Sequence, residues 1–333
     1  MAASMDEDST IRLSAPEAAS LVSSDPAPPG RHGRRALICT ICAGLAAGVG
    51  GGAWLWSRQR SATGTLQVEE LAPRPAPPPP PAPLPEPPPS LDRAAILAHR
   101  ATVPTVFRWS ANPLVWLLDF PSLELQGQAM NRAAALVEKA KTPRDRVLDD
   151  AALAAAILAD GRTPANWYYG HDYRASDLAR LFELAAQAGL RLNPQEAWVA
   201  AQVDLATRLE PSRDQAFLTL VAEGPGVDAS IRHSVLLHEL GHGQFFTQPF
   251  FAAHVLRVWE IGFTEAERDS VRRFLAGDGY DTGLEELMAN EAMAYLLYTP
   301  DRRFFDPVRD LGWSDTQAAR ARALLREVAP DEP

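Results

Sequence analysis

The sequence predicts an α+β fold that is predominantly helical. Three observations carry this. Most of the chain beyond residue 90 repeats apolar residues at helical spacing between recognisable caps. Only two short runs, 114–118 and 215–222, are written in β-type residues. A further apolar segment, Ile231 to Phe246, has a helix period yet carries two histidines and a glutamate in its interior.

The elements follow in order. Residues 91–100 and the Ala-rich 126–141 read as helices, and 147–160 is a third, closed by Gly161 at its C′ position. Ser176 is expected to cap a helix that ends near Gly189. Asn193, Pro194 and Glu196 have the N-cap, first-turn proline and capping-box glutamate of the next one. The run 215–222 then changes the period, and Glu223-Gly224-Pro225-Gly226 is a turn. Asp228 or Ser230 supplies the N-cap of the segment from Ile231. Thr264 and Glu267 form a capping box for a helix to about Leu275. A Gly-rich turn, 277–283, leads into a second apolar helix over 283–298, and Ser314 with Gln317 starts a closing helix.

The chemistry is concentrated in His238-Glu239-Leu240-Gly241-His242, an H-E-x-x-H string. Residues i and i+4 of a helix lie on one face, so the two imidazoles can grip one Zn2+ ion. The intervening Glu239 can reach a water activated by the metal and act as general base. Unpaired polar groups inside an apolar helix are costly, and a metal gives them partners. His233 lies on another face and is not expected to be a ligand. A third ligand must come from elsewhere. The offsets at which metzincins place a Gly and a third His carry Phe245 and Gln248, which excludes that pattern. The helix over 283–298 offers carboxylates instead.

On these residues the chain resembles the gluzincin-type metallopeptidases, in which a glutamate on a downstream helix completes the metal site. Glu286-Leu287-Met288-Ala289-Asn290 fits the E-x-x-A-[D/N] form, which makes Glu286 the favoured ligand and Asn290 the residue that orients a ligating histidine. Glu291, preceded by Asn290 and followed at +3 by Ala294, is the alternative. Glu285 reads as a solvated helix residue. The resemblance spans residues 228–298 and implies a zincin-like domain with a small sheet over the H-E-x-x-H helix. It also implies hydrolysis of a peptide or protein substrate. Tyr280, in the turn before the second helix, is the expected oxyanion donor, with Tyr295 and His171 as rivals. Two other readings stand beside it: a non-catalytic binding or scaffold module with a structural zinc site, and a zinc amidase acting on cell-wall material.

Composition limits the partners. The net charge is −10 and Lys139 and Lys141 are the only lysines, so no basic face for nucleic acid is expected. Residues 36–56 contain no charged side chain and are long enough to span a bilayer. Arg31, Arg34 and Arg35 precede them, and Trp54 and Trp56 close them. This predicts a single-pass anchor in a bacterial inner membrane with the catalytic domain periplasmic or extracellular. Gly33-Arg34-Arg35 offers the alternative of a twin-arginine-like export signal. Cys39 and Cys42 fall inside this span and read as packing residues. The expected organisation is therefore a disordered cytoplasmic tail (1–35), a transmembrane helix (36–56) and a Pro-rich extracytoplasmic linker (57–90). The last has 12 prolines between Pro73 and Pro89. A catalytic domain (91–333) follows, with a helical part (91–210) and a metal-site part (211–333).

Overall fold

The computed structural model describes residues 86–330. The expected tail, the expected span and most of the Pro-rich segment lie outside the described residues. Among the described residues no helix is long and apolar enough to cross a membrane. That corrects the expectation of a signal-anchor, of the membrane as a partner and of a single-pass inner-membrane location, all of which rested on a spanning helix.

The described chain is α+β, with one five-stranded mixed sheet in the order β1-β2-β3-β5-β4. The strands are β1 (Ser90–Leu91), β2 (Thr105–Trp109), β3 (Asn112–Phe120), β4 (Asp172–Arg174) and β5 (Ala216–Val221). The centre of the sheet is β3 paired parallel to β5, with Val115 opposite Ala216 and Phe120 opposite Val221. Both strands are buried from Leu114 and Ala216 onward. That is why each reads as a continuous apolar run and not as an alternation. β2 turns back on β3 antiparallel, and β1 adds to β2 in parallel. On the other side β4 pairs antiparallel with β5, placing Asp172 opposite Leu218. The two expected parts, 91–210 and 211–333, therefore share one sheet and one core.

The helices are α1 (Arg93–Ala98), α2 (Leu123–Val137), α3 (Asp150–Ala159), α4 (Ala175–Gln187), α5 (Pro194–Leu209), α6 (Ala229–Thr247), α7 (Pro249–Arg257), α8 (Glu265–Gly277), α9 (Glu285–Tyr298), α10 (Pro307–Leu311) and α11 (Asp315–Arg326). A single π-helical turn, Val258–Gly262, follows α7. The capping boxes at Asn193, Thr264 and Ser314 form as read, and Asp228 is the N-cap of α6. Helix α4 starts two residues early, with Arg174 as N-cap; Ser176 instead donates to Asp214 Oδ2 at 2.6 Å.

Helix α6 lies on the sheet and is buried along nearly its whole length. Two features bring it close. A Cβ at Gly243 would sit 3.0 Å from side-chain atoms of Leu218 and Val115, so glycine there lets the helix settle on β3 and β5. At its other end the buried Arg232 forms a two-pronged ion pair with Asp119 of β3, both contacts at 2.9 Å. Arg232 also donates to the carbonyls of Val221, at 2.6 Å, and Ile96, at 2.9 Å. The axial position and the tilt of α6 are thereby fixed against β3, β5 and α1, and the H-E-x-x-H turn is held over the β5–β4 side of the sheet.

Candidate metal centre

The site is built on three elements: α6, α9 packed beside it, and the edge strand β4. The i, i+4 spacing brings His238 Nε2 and His242 Nε2 to 3.0 Å from each other. Glu291, from the middle of α9, completes the group. Its Oε2 lies 3.7 Å from His238 Nε2 and 3.9 Å from His242 Nε2. The three ligand atoms converge closely enough to hold one metal ion, and all three residues are buried. Glu291 Oε2 has no hydrogen-bond partner, an orphaned acceptor aimed at the histidine pair.

Outer contacts fix the imidazoles. His238 Nδ1 is 2.9 Å from Thr299 Oγ1, and the Thr299 hydroxyl donates to the Ala294 carbonyl at 3.1 Å. With its own proton committed, Thr299 accepts from Nδ1–H, and the Nε2 lone pair of His238 is left for a metal. The Tyr295 ring meets the same imidazole edge-on, with centroids 4.8 Å apart. On the other histidine, Asp172 Oδ2 faces Nδ1 of His242 at 3.5 Å, and Asn290 lies beside that ring. Asp172, Glu239 and His242 form a second convergent set next to the first.

Glu239 faces the chain ahead of β4. A Cβ at Gly170 would overlap Glu239 Oε1, so only glycine leaves room for that carboxylate. Its Oε2 is buried without a partner.

The electrostatics of this cluster are strained when no cation is present. Burial, then the neighbouring Glu291 and Glu138, pushes the Glu239 carboxyl well above the ordinary range. Burial and Glu138 do the same to Glu291, against the pull of a hydrogen bond from Tyr280. Asp172 is raised by burial and by Glu239, Glu291 and Glu138. Burial pushes Glu138 up to about 7. The histidines move the other way: burial and His242 hold His238 well below its usual value, and burial takes His242 down to about 4. Neutral imidazoles beside crowded carboxyl groups are an arrangement whose repulsions a cation could relieve.

Of the residues read from the sequence, His238, Glu239 and His242 are brought together with Glu291. Glu286 is not. It lies about five residues earlier on α9, its side chain 54% exposed and paired with Arg174 at 2.6 Å. This corrects the preference for Glu286 as third ligand: one helix cannot turn both carboxylates toward α6. Asn290 stands beside His242, one residue before Glu291. Tyr280 reaches the site with its hydroxyl on Glu291, where it supports the ligand; it does not stand free for an oxyanion. His171 is buried against Tyr173 at 3.1 Å. His233 is exposed, and Glu285 pairs with Arg272 and Trp259 on the surface. Sequence reasoning missed Asp172, Thr299 and Glu138. Only Asp172 had a signal, its place in the aromatic and polar cluster from Trp167 to Tyr173.

Comparison of the chain with protein-family models, with curated proteins and with solved structures finds no match.

Proposed function

We propose that this chain is a zinc-dependent metallopeptidase of the gluzincin type, with His238, His242 and Glu291 as ligands and Glu239 as general base. One observation carries the reading. Glu239 sits between the two ligating histidines with a buried, unpartnered Oε2, and a metal site that only held the fold together has no need of such a group.

The donor set fits the ion. With zinc–nitrogen bonds near 2.05 Å, two tetrahedral ligands stand ~3.3 Å apart. The two Nε2 atoms are at 3.0 Å, and Glu291 must close by about half an ångström from 3.7 and 3.9 Å. Three protein ligands leave one position open, the pattern of catalytic and not structural sites.

When bound, zinc supplies Lewis acidity toward a water molecule and a substrate carbonyl. The remaining work belongs to the chain. Glu239 Oε2 takes the proton of the attacking water and delivers it to the leaving amine. Thr299 holds His238 in the tautomer that ligates, and Asp172 faces Nδ1 of His242 at 3.5 Å. Burial of the cluster excludes bulk water that would compete for the proton.

The burial of all three ligands favours a second reading, a structural zinc site in a binding module. Glu239→Gln separates the two. In the full chain, this variant is expected to keep one zinc while peptide hydrolysis falls about 10²- to 10⁴-fold. Equal hydrolysis by variant and parent rules out Glu239 as the base. A zinc-loaded parent that cleaves nothing in a broad peptide library leaves the structural reading.

A further inference from the structure

On the His242 side of the metal centre, next to Asp172 and Asn290, lies a cavity of about 190 Å³. Its polar lining is lopsided. Glu138, Asp172, Asp177 and Glu286 contribute four carboxylates against one cation, Arg174. Arg174 is already paired with Glu286 at 2.6 Å, and its guanidinium lies over the Phe246 ring at 4.5 Å. Arg174 also bears on Asp172 and Asp177, so one guanidinium is shared among the carboxyl groups of the cavity wall.

A second, independent feature points to a ligand. Glu138 is 3% exposed and Asn290 is 2% exposed, both line the cavity, and neither Glu138 Oε2 nor Asn290 Oδ1 has a hydrogen-bond partner. Both atoms are acceptors. Buried acceptors left open cost free energy until a donor arrives, and in a wall of four carboxyl groups and one guanidinium that donor is best supplied by an ammonium or guanidinium group. Val137, Phe246 and Leu287 form apolar wall between these groups, suited to the methylene stem that such a cation carries.

We propose that this cavity is a specificity pocket for a positively charged side chain, lysine or arginine, next to the scissile bond of the substrate. The cation sits against Glu138, Asn290 and Asp177, with its stem along Phe246. The assignment of the pocket to a substrate rests on the metallopeptidase reading, because it is the neighbouring His242 that brings the occupant close to the reaction. The binding of a cation does not depend on that reading.

The experiment has a binding arm and a cleavage arm, both on the full chain loaded with zinc. Calorimetric titration with n-butylguanidinium is expected to show binding that n-butylurea, its neutral isostere, lacks. Glu138→Gln and Asp177→Asn should each weaken that binding about tenfold or more, the factor of one charge-assisted hydrogen bond. Asp177 is partly exposed, so its variant keeps the test open if the buried Glu138 change prevents folding. In the cleavage arm, N-acetylated peptides with lysine beside the scissile bond should exceed their norleucine counterparts about tenfold or more in kcat/KM. A preference seen only in unacetylated peptides assigns the cation to the substrate's α-amino group, and overturns the side-chain pocket. Equal binding of butylguanidinium and butylurea, or of neither, overturns the cation site. Binding of butylguanidinium by a protein that cleaves no peptide upholds the cation site and overturns the peptidase reading alone.

Discussion

Thr299→Val tests whether the tautomer of His238 is set from outside the metal centre. The substitution keeps the shape of the side chain and removes the oxygen that accepts His238 Nδ1–H at 2.9 Å. With a metal on Nε2, the proton must stay on Nδ1, inside a site where His238 is only 4% exposed. An unsatisfied buried donor costs about 1–3 kcal/mol. Loss of an outer partner of a ligating histidine weakens metal binding about 10- to 100-fold, or about 1.4–2.8 kcal/mol. The two routes agree. The metal-free protein avoids the unsatisfied donor, because the proton can move to Nε2, where His242 Nε2 is 3.0 Å away. There the variant loses the Thr299–His238 and Thr299–Ala294 hydrogen bonds, about 1 kcal/mol each. The assay is a zinc competition titration against a chromophoric chelator, with urea unfolding of the metal-free form measured separately and Thr299→Ser as the control that restores the acceptor. Zinc affinity within about twofold of the parent would show that Thr299 does not govern the tautomer.

Other outcomes follow from the same geometry. Glu291→Gln should abolish stoichiometric zinc binding, measured by metal analysis, while Glu286→Gln retains it; the reverse result returns the third ligand to Glu286. Arg232→Met leaves the buried Asp119 carboxylate to the half-buried His99 imidazole, 2.7 Å from its Oδ2, and should cost about 3 kcal/mol in urea unfolding; a loss under about 1 kcal/mol means the pair does not tie α6 to β3. Burial, with Lys139 nearby, pushes His171 down to about 3 from an ordinary 6.5. The unfolded chain therefore takes a proton that the folded one refuses. Stability should be full above pH 6.5 and fall as pH drops toward 3, by up to about 1.4 kcal/mol per pH unit from this group. In metal-free protein, His171→Phe should flatten that acid limb relative to the parent, and an unchanged limb would assign it to other groups.

How far the sequence could be read depends on the range over which each element is determined. Caps are local. Asp228, Asn193, Thr264 and Ser314 act on backbone groups three residues away, and all four do so here. Strands β3 and β5 were legible because burial on both faces makes them apolar throughout. Strand β4 was not. It has three residues, and it is a strand only because β5, some forty residues later, offers it an edge. Asp172 enters the site through that pairing, and locally only the aromatic and polar character of residues 167–173 marked it. The same holds for the joining of 91–210 and 211–333, which depends on a parallel pairing across about a hundred residues.

The carboxylate that joins the two histidines was a different failure, because the information was local and was weighed wrongly. Glu286 and Glu291 are five positions apart on one helix, about 140° in rotation, so at most one can face α6. The E-x-x-A-[D/N] form favoured Glu286, but it describes which residues accompany a ligand and is silent on the direction in which the helix faces. Direction is written in the neighbours at i±3 and i±4. For Glu291 these are Leu287, Met288, Ala294 and Tyr295, all apolar; for Glu286 they are Thr282, Gly283, Ala289 and Asn290. A carboxylate ringed by apolar residues on its own helix face is carried into the interior, where it requires a cation; one beside a turn and an asparagine stays at the rim. Glu291 is 1% exposed and meets the two histidines, whereas Glu286 stays at the surface and pairs with Arg174. The phase of α9 thus decides between two otherwise equivalent glutamates, and it places the rejected one on the wall of the cavity beside His242, where its charge bears on what that cavity admits.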